Sequence, residues 1–208
     1  MNSKFLRTTS CLKCRMYVGL CICEATPHLK LATRIVIFMH QKEHRLLTNT
    51  GVLANRVLQN SKIVFRGHLS RTIVDRQDFF EDSCETNTAI LYPAAEAVEL
   101  NESFLQSQKG PLTLICPDGN WAQAKKVLRR EPSLKRLPCV KLPEGQMTNY
   151  RLRRNPVLGR VCTFEAISRA LGALEGEVVQ ETMQFIFEKM VTRILWTRGK
   201  ISVDEVVW

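Results

Sequence analysis

The stretch "PLTLICPDGNWAQAKKVLRR" (residues 111–130) changes character twice within a few residues. It begins as a short apolar run rich in Leu, Ile and Thr, the composition of a buried strand. Asp118-Gly119 then supplies a sharp turn, and from about Trp121 a basic helix begins that carries Lys125, Lys126, Arg129 and Arg130. A strand that turns directly into a helix is the repeating step of an α/β sheet.

The same step recurs along the chain. "RIVIFMH" (residues 34–40) is a β-branched run typical of a buried strand, and "TNTGVLANRVLQN" (48–60) follows as a helix capped by Thr48 or Asn49 and bearing Val52, Leu53, Val57 and Leu58. "KIVFRG" and "TAILYP" read as further strands on either side of an acidic loop around residues 75–85. A short helix near 101–108 precedes the opening stretch, and "LPCVKLP" is one more strand bounded by prolines. From Thr163 two helices dominate; in the second, Val179, Met183, Ile186, Met190 and Ile194 recur at helical spacing. Strands separated by helices imply a mostly parallel sheet covered on both faces, with the ligand crevice beyond the carboxyl ends of the strands. The Asp-Gly-Asn-Trp turn lies at such an end.

A chain of 208 residues accommodates one large domain with a small appendage. The expected division is a small module over residues 1–30 and a catalytic α/β domain over 31–208. No stretch is apolar for long enough to cross a bilayer, and the first residues lack the apolar core and cleavage site of a secretory signal, so a cytoplasmic location is expected. The net charge of +10 is unevenly spread. Residues 121–160 hold eleven Lys plus Arg against two Glu, whereas residues 75–102 hold eight acidic residues against one Arg. A clustered basic segment is the footprint of a polyphosphate partner, although a solvated basic helix has the same appearance.

The eight cysteines divide into two sets. Cys84, Cys116, Cys139 and Cys162 are scattered and read as small buried hydrophobes. Cys11, Cys14, Cys21 and Cys23 follow the spacing C-x2-C-x6-C-x-C, four thiolates able to close a tetrahedral shell, for which structural Zn2+ is the expected occupant. An iron–sulfur cluster or free thiols are the alternatives.

Three further clusters are candidates for chemistry. "MHQKEHRLLTNTG" gathers His40, Glu43, His44, Arg45, Asn49 and Gly51 at a strand-to-helix boundary, as an acid–base set or merely a capped helix entry. Asp118 is either a general base or the cap of the helix that starts near Trp121, and Trp121 either lines a site or packs on the sheet. "MTNYRLRRNPVLGR" carries Arg151, Arg153, Arg154 and Arg160 in a loop-like segment suited to phosphate or carboxylate contacts.

Taken together, these pieces resemble the DTW-domain family, the tRNA-uridine aminocarboxypropyltransferases. The resemblance rests on the Cys-rich N-terminus (Cys11 to Cys23), the His-x-x-Glu and Thr-Asn-Thr-Gly run (His40 to Gly51), Tyr92-Pro93, Asp118 to Trp121, Arg151 to Arg154 and the Thr-x-Glu-Ala helix start (Thr163 to Ala166). It covers nearly the whole chain. Asn120 stands where the family signature has Thr; Asn also hydrogen-bonds and caps a turn. The resemblance implies a SPOUT-like fold and transfer of the 3-amino-3-carboxypropyl group from S-adenosylmethionine to N3 of a tRNA uridine. It further implies Asp118 and Trp121 as catalytic residues. Leu91, Tyr92, Pro93, Asn120, Leu142, Pro143, Arg154 and Thr163 are then expected around the cofactor. Lys125, Lys126, Arg129, Arg130, Arg151 and Arg153 are expected on tRNA.

Two alternatives stand beside this reading: an S-adenosylmethionine-dependent RNA methyltransferase of SPOUT type, and a zinc-bearing RNA-binding protein without catalysis. Monomer and homodimer are both compatible with the sequence.

Overall fold

A computed structural model describes residues 9–66, 87–143, 148–152 and 161–208. Six strands form one sheet: β1 (Arg34–His40), β2 (Ser61–Arg66), β3 (Thr88–Leu91), β4 (Val98–Glu99), β5 (Thr113–Pro117) and β6 (Cys139–Lys141). Five helices accompany them: α1 (Thr50–Val57), α2 (Glu102–Gln106), α3 (Trp121–Arg130), α4 (Thr163–Glu175) and α5 (Glu177–Thr197). The strand order is β2-β1-β5-β3-β6-β4 and every pairing is parallel, the arrangement expected of an α/β chain.

Period-two alternation explains how the sheet divides its side chains. Ile35, Ile37 and Met39 of β1 and Leu114 and Cys116 of β5 face a core shared with α1, α4 and α5. Val36, Phe38 and Ile115 point the other way, into a smaller core closed by Val127 of α3 and by Leu134. Because both faces are buried, β1 reads as an unbroken apolar run. The spacing read in α5 holds in space: Met183, Ile186, Met190 and Ile194 are buried, and Val179 is partly so.

The register brings the ends of β1 and β5 together, with Phe38 opposite Pro117. From β1 the chain crosses through α1 to β2, toward one edge of the sheet; from β5 it crosses through α3 to β6, toward the other. The helices cover opposite faces. This divergence marks the carboxyl ends of β1 and β5 as the topological switch point, the place where α/β sheets bind ligands.

The N-terminal segment does not stand apart. Met16, Leu20 and Ile22 are buried in the same core as α5, each contributing about 1.5–3 kcal/mol if fully transferred from water. Leu29 pairs with Leu58 just past α1, and the Arg193 guanidinium donates to the Cys21 carbonyl at 2.8 Å. No described helix is long and apolar enough to cross a membrane.

Candidate active site and sulfur cluster

At the end of β5 the backbone amide of Asp118 donates to the Phe38 carbonyl at 2.8 Å, which fixes the carboxylate between the two diverging strands. The side chain is only 5 % exposed. Its Oδ1 accepts the Thr163 hydroxyl at 2.5 Å, and its Oδ2 accepts the Asn49 carboxamide at 2.8 Å. Three segments far apart in sequence therefore converge on one carboxylate: the entry to α1, the β5–α3 turn and the first residue of α4. A carboxylate offers about four lone-pair positions, so two remain beyond these bonds.

Local chemistry explains each arm. Asn49 caps α1, its Oδ1 accepting the Val52 amide at 2.8 Å while its amide group is turned to Asp118. Gly51 packs so close that a Cβ there would lie 3.2 Å from the Asp118 Cγ and 3.1 Å from Met39 Cε. Asp118 does not cap α3. Asn120 takes that role, accepting the Gln123 amide at 2.9 Å while Gln123 Oε1 accepts the Asn120 amide at 2.6 Å. Gly119 makes this possible with φ +128°, in a region that favours glycine. Asp118 is thereby released from capping and turns its carboxylate to Thr163 and Asn49, and Asn120 performs the hydrogen bonding expected of it in place of Thr.

A second buried carboxylate, Glu165, completes the frame. It accepts the Thr148 hydroxyl at 2.6 Å, the Asn149 amide at 2.6 Å and the Cys162 amide at 2.9 Å, fastening the 148–152 segment to the start of α4. The Tyr150 hydroxyl donates to the Thr48 carbonyl at 2.9 Å, joining the same segment to the α1 entry. Neither role was visible in the sequence. The spacing of Cys162 to Glu165 is that of a capping box, but Cys in place of Ser or Thr hides the signal.

The remaining site residues lie along the same edge. Leu91, Tyr92 and Pro93 leave β3, and Leu142 and Pro143 leave β6, its neighbour. Tyr92 and Trp121 are in ring contact at 5.7 Å with a 52° tilt, so the two strand exits share an aromatic wall. Pro93 and Pro143 are exposed, Leu91, Tyr92 and Leu142 partly buried. Lys125, Lys126, Arg129 and Arg130 are all exposed on α3, whose Ala124 and Val127 are buried. At 1.5 Å per residue, Lys125 stands about 6 Å and Arg130 about 13 Å along the helix from its start, so the charge runs away from the strand ends. Arg151 is exposed in the 148–152 segment; Arg153, Arg154 and Arg160 lie outside the described residues, as do Cys84 and the acidic loop. His40 ends β1 and its Nδ1 accepts the Lys42 amide at 3.2 Å, while the His44 ring packs edge-on against Phe65 at 5.0 Å. The structure therefore gives His40, Glu43 and His44 no contact with Asp118 among the described bonds.

The four N-terminal cysteines come together. Their sulfur atoms all lie within 4.8 Å of one another, with Cys11 to Cys23 at 3.7 Å and Cys14 to Cys21 at 3.6 Å. Tetrahedral coordination at about 2.3 Å per Zn–S bond places sulfurs about 3.8 Å apart, so the set fits a zinc ion. The backbone amides of Cys14 and Lys13 pull the Cys11 thiol down to about 6, whereas burial pushes Cys21 up to about 12. Sulfurs this close share negative charge poorly without a cation. Arg56 of α1 supplies part of that charge, its guanidinium donating to Cys23 Sγ at 3.1 Å. Elsewhere Cys116 and Cys162 are buried and Cys139 partly so, as small hydrophobes, and burial raises the thiol pKa of Cys116 and Cys162 strongly.

The family model described as "DTW domain" matches residues 8–195. The chain is 31 % identical over 172 residues to "tRNA-uridine aminocarboxypropyltransferase 2" of Drosophila melanogaster, covering 81 % of this chain and 68 % of that protein. Proteins of the same name from Macaca fascicularis (30 % over 182 residues) and Mus musculus (31 % over 183) each cover 85 % of this chain and 60 % of their own length. The chain thus spans 60–68 % of the length of these three relatives. No solved structure matches it. A match that runs from the sulfur cluster through the Asp118 turn to the last turn of α5 establishes that the chain belongs to the DTW domain family.

Proposed function

We propose that the chain transfers the 3-amino-3-carboxypropyl group of S-adenosylmethionine to N3 of a uridine in tRNA, releasing 5′-methylthioadenosine. The observation that carries this reading is the match to relatives named for that reaction, over a region that includes the ends of β1 and β5. When bound, the sulfonium donor supplies a carbon already activated for attack. The N3–Cγ bond forms, the Cγ–S bond breaks with its electron pair leaving on sulfur, and the N3 proton passes to a base.

Asp118 is our candidate for that base or for orienting the N3–H. The Thr163 and Asn49 donors hold its carboxylate in one orientation, which supports a fixed acceptor at the strand ends. Trp121 with Tyr92 offers an aromatic wall on which an extruded base could stack, as base-modifying enzymes require. Leu91 to Pro93, Asn120, Leu142 and Pro143 are proposed around the donor, Arg154 on its carboxylate, and Thr163 acting through Asp118. Lys125, Lys126, Arg129, Arg130, Arg151 and Arg153 are proposed to seat tRNA phosphates. Zn2+ is proposed in the four-sulfur cluster with a structural role, and the cytoplasm as the compartment, in keeping with free thiols.

The test is mass measurement of tRNA nucleosides after incubation with the donor. Gain of an aminocarboxypropyl group on uridine supports the proposal, and gain of a methyl group alone replaces it with the methyltransferase reading. In the same assay Asp118→Asn, which keeps the side-chain shape, should lower turnover by at least about 100-fold if Asp118 takes the proton. Turnover within a few-fold of the parent chain would leave Asp118 as a positioning residue only.

A further inference from the structure

Arg15 has φ +62°, and among the described residues no other non-glycine residue has a positive φ. Holding a residue with a Cβ in this region costs about 1–2 kcal/mol, and glycine would adopt it freely. Arg15 follows the second cysteine of the cluster, where the chain turns sharply around the sulfurs. The turn therefore favours glycine, yet the position carries a long cation. Backbone strain of this kind points to what the side chain does.

The guanidinium of Arg15 donates to the His44 carbonyl at 2.9 Å, spanning from the sulfur cluster to the loop beyond β1. Beneath that bridge lies a partly open recess of about 130 Å³, below the about 300–1,000 Å³ of clefts that enclose a small ligand, so an occupant lies against it and is not enclosed by it. Lys13, Arg15 and Arg56 line it together with His44, Leu46, Leu47 and Cys14, and no Asp or Glu is among its lining residues. The two leucines remain 51 % and 42 % exposed, an apolar surface beside Lys13, Arg15 and Arg56. Asn49 also lines the recess, and its carboxamide is the group that holds Asp118 Oδ2.

These cations are more than the sulfur cluster uses. Arg56 already donates to Cys23 Sγ, and Arg193, on the far side, donates to the Cys21 carbonyl. Arg15 donates to a carbonyl of another loop instead of to sulfur, and Lys13 projects from the turn with its side chain exposed. A recess that pairs cationic donors with an apolar surface suits a nucleotide, whose phosphate and base make the two demands at once; a simple inorganic anion would have no use for the leucines.

We infer that this recess is a second RNA-binding site, in which Lys13 and Arg15 grip the phosphate of a nucleotide whose base rests on Leu46 and Leu47. The inference rests on the tRNA reading above. It makes the sulfur cluster a scaffold for substrate binding, because the turn that carries both cations is shaped by Cys11 and Cys14. It also sets the bound strand one side chain, Asn49, away from Asp118.

The test uses the full zinc-loaded chain, with a fluorescent tRNA transcript titrated at 50 to 200 mM salt. Each phosphate contact removed should lower the slope of log affinity against log salt by about 0.7–0.9, so the affinity ratio across that range shrinks by about threefold per contact. Arg15→Gly and Lys13→Gln should each show this, and Arg15→Gly should keep its zinc, because the relief at φ +62° offsets much of the lost bond to the His44 carbonyl. Retained zinc with an unchanged slope in both variants overturns the inference while leaving the transferase proposal in place. Should Arg15→Gly lose zinc, Lys13→Gln alone decides, since its side chain lies outside the cluster: a shallower slope supports the site and an unchanged one overturns it. A parent chain that does not bind tRNA overturns both readings.

Discussion

Replacing Thr163 by Val removes one hydroxyl and almost nothing else. Both side chains are β-branched and similar in size, and position 163 is the first residue of α4, so helix propensity changes little. What changes is Asp118 Oδ1, which loses a 2.5 Å bond in a residue only 5 % exposed. A hydrogen bond to a charged group contributes about 1.5–3 kcal/mol, and here the acceptor left behind is buried. At about 2–4 °C per kcal/mol for a chain of this length, Tm should fall by about 3–12 °C. Differential scanning calorimetry reads that shift, and nucleoside mass measurement should show turnover falling with it, because the carboxylate is then held on one side only. Thr163→Ser keeps the donor and should restore most of both. A Tm within about 1 °C of the parent chain for Thr163→Val would refute the reasoning, since it would mean that Asp118 does not depend on this bond.

Two further perturbations probe the same frame. Glu165→Gln replaces an all-acceptor group with one that must present an NH2 to one of the three donors around it, at a cost of about 1–3 kcal/mol; limited proteolysis should then cut the 148–152 segment faster before global unfolding. Stripping the sulfur cluster with a chelator should lower Tm yet leave a cooperative transition, because Met16, Leu20 and Ile22 share the main core. Metal retention should weaken on acidification, as each ligand must lose a proton to bind; a chain that unfolds completely on chelation would contradict the packing argument.

What the sequence disclosed follows from how far each signal reaches. Strands β1 and β5 were legible because burial on both faces leaves a continuous apolar run. The two-residue β4 was not, because Val98 is 52 % exposed and Glu99 is charged, so neither alternation nor an apolar run marks it. The cysteine spacing was legible because its ligands are local. Asp118 stood out as a turn residue, yet its partners lie 69 residues earlier and 45 later, beyond any periodicity. Sequence alone left open whether Asp118 was a general base or the cap of α3; the positive φ of Gly119, which hands the capping to Asn120, emerges only in three dimensions. The strain at Arg15 had no sequence signal, since an arginine after a cysteine is unremarkable until its φ is seen.

Helix α1 is eight residues long, about 12 Å at 1.5 Å per residue. Its leading end is tied to Asp118 through Asn49 and its trailing end to Cys23 through Arg56. The proposed metal cluster and the proposed base are therefore fastened to opposite ends of one short helix, and a shift of the thiols reaches the carboxylate through two hydrogen bonds and three turns of backbone or less.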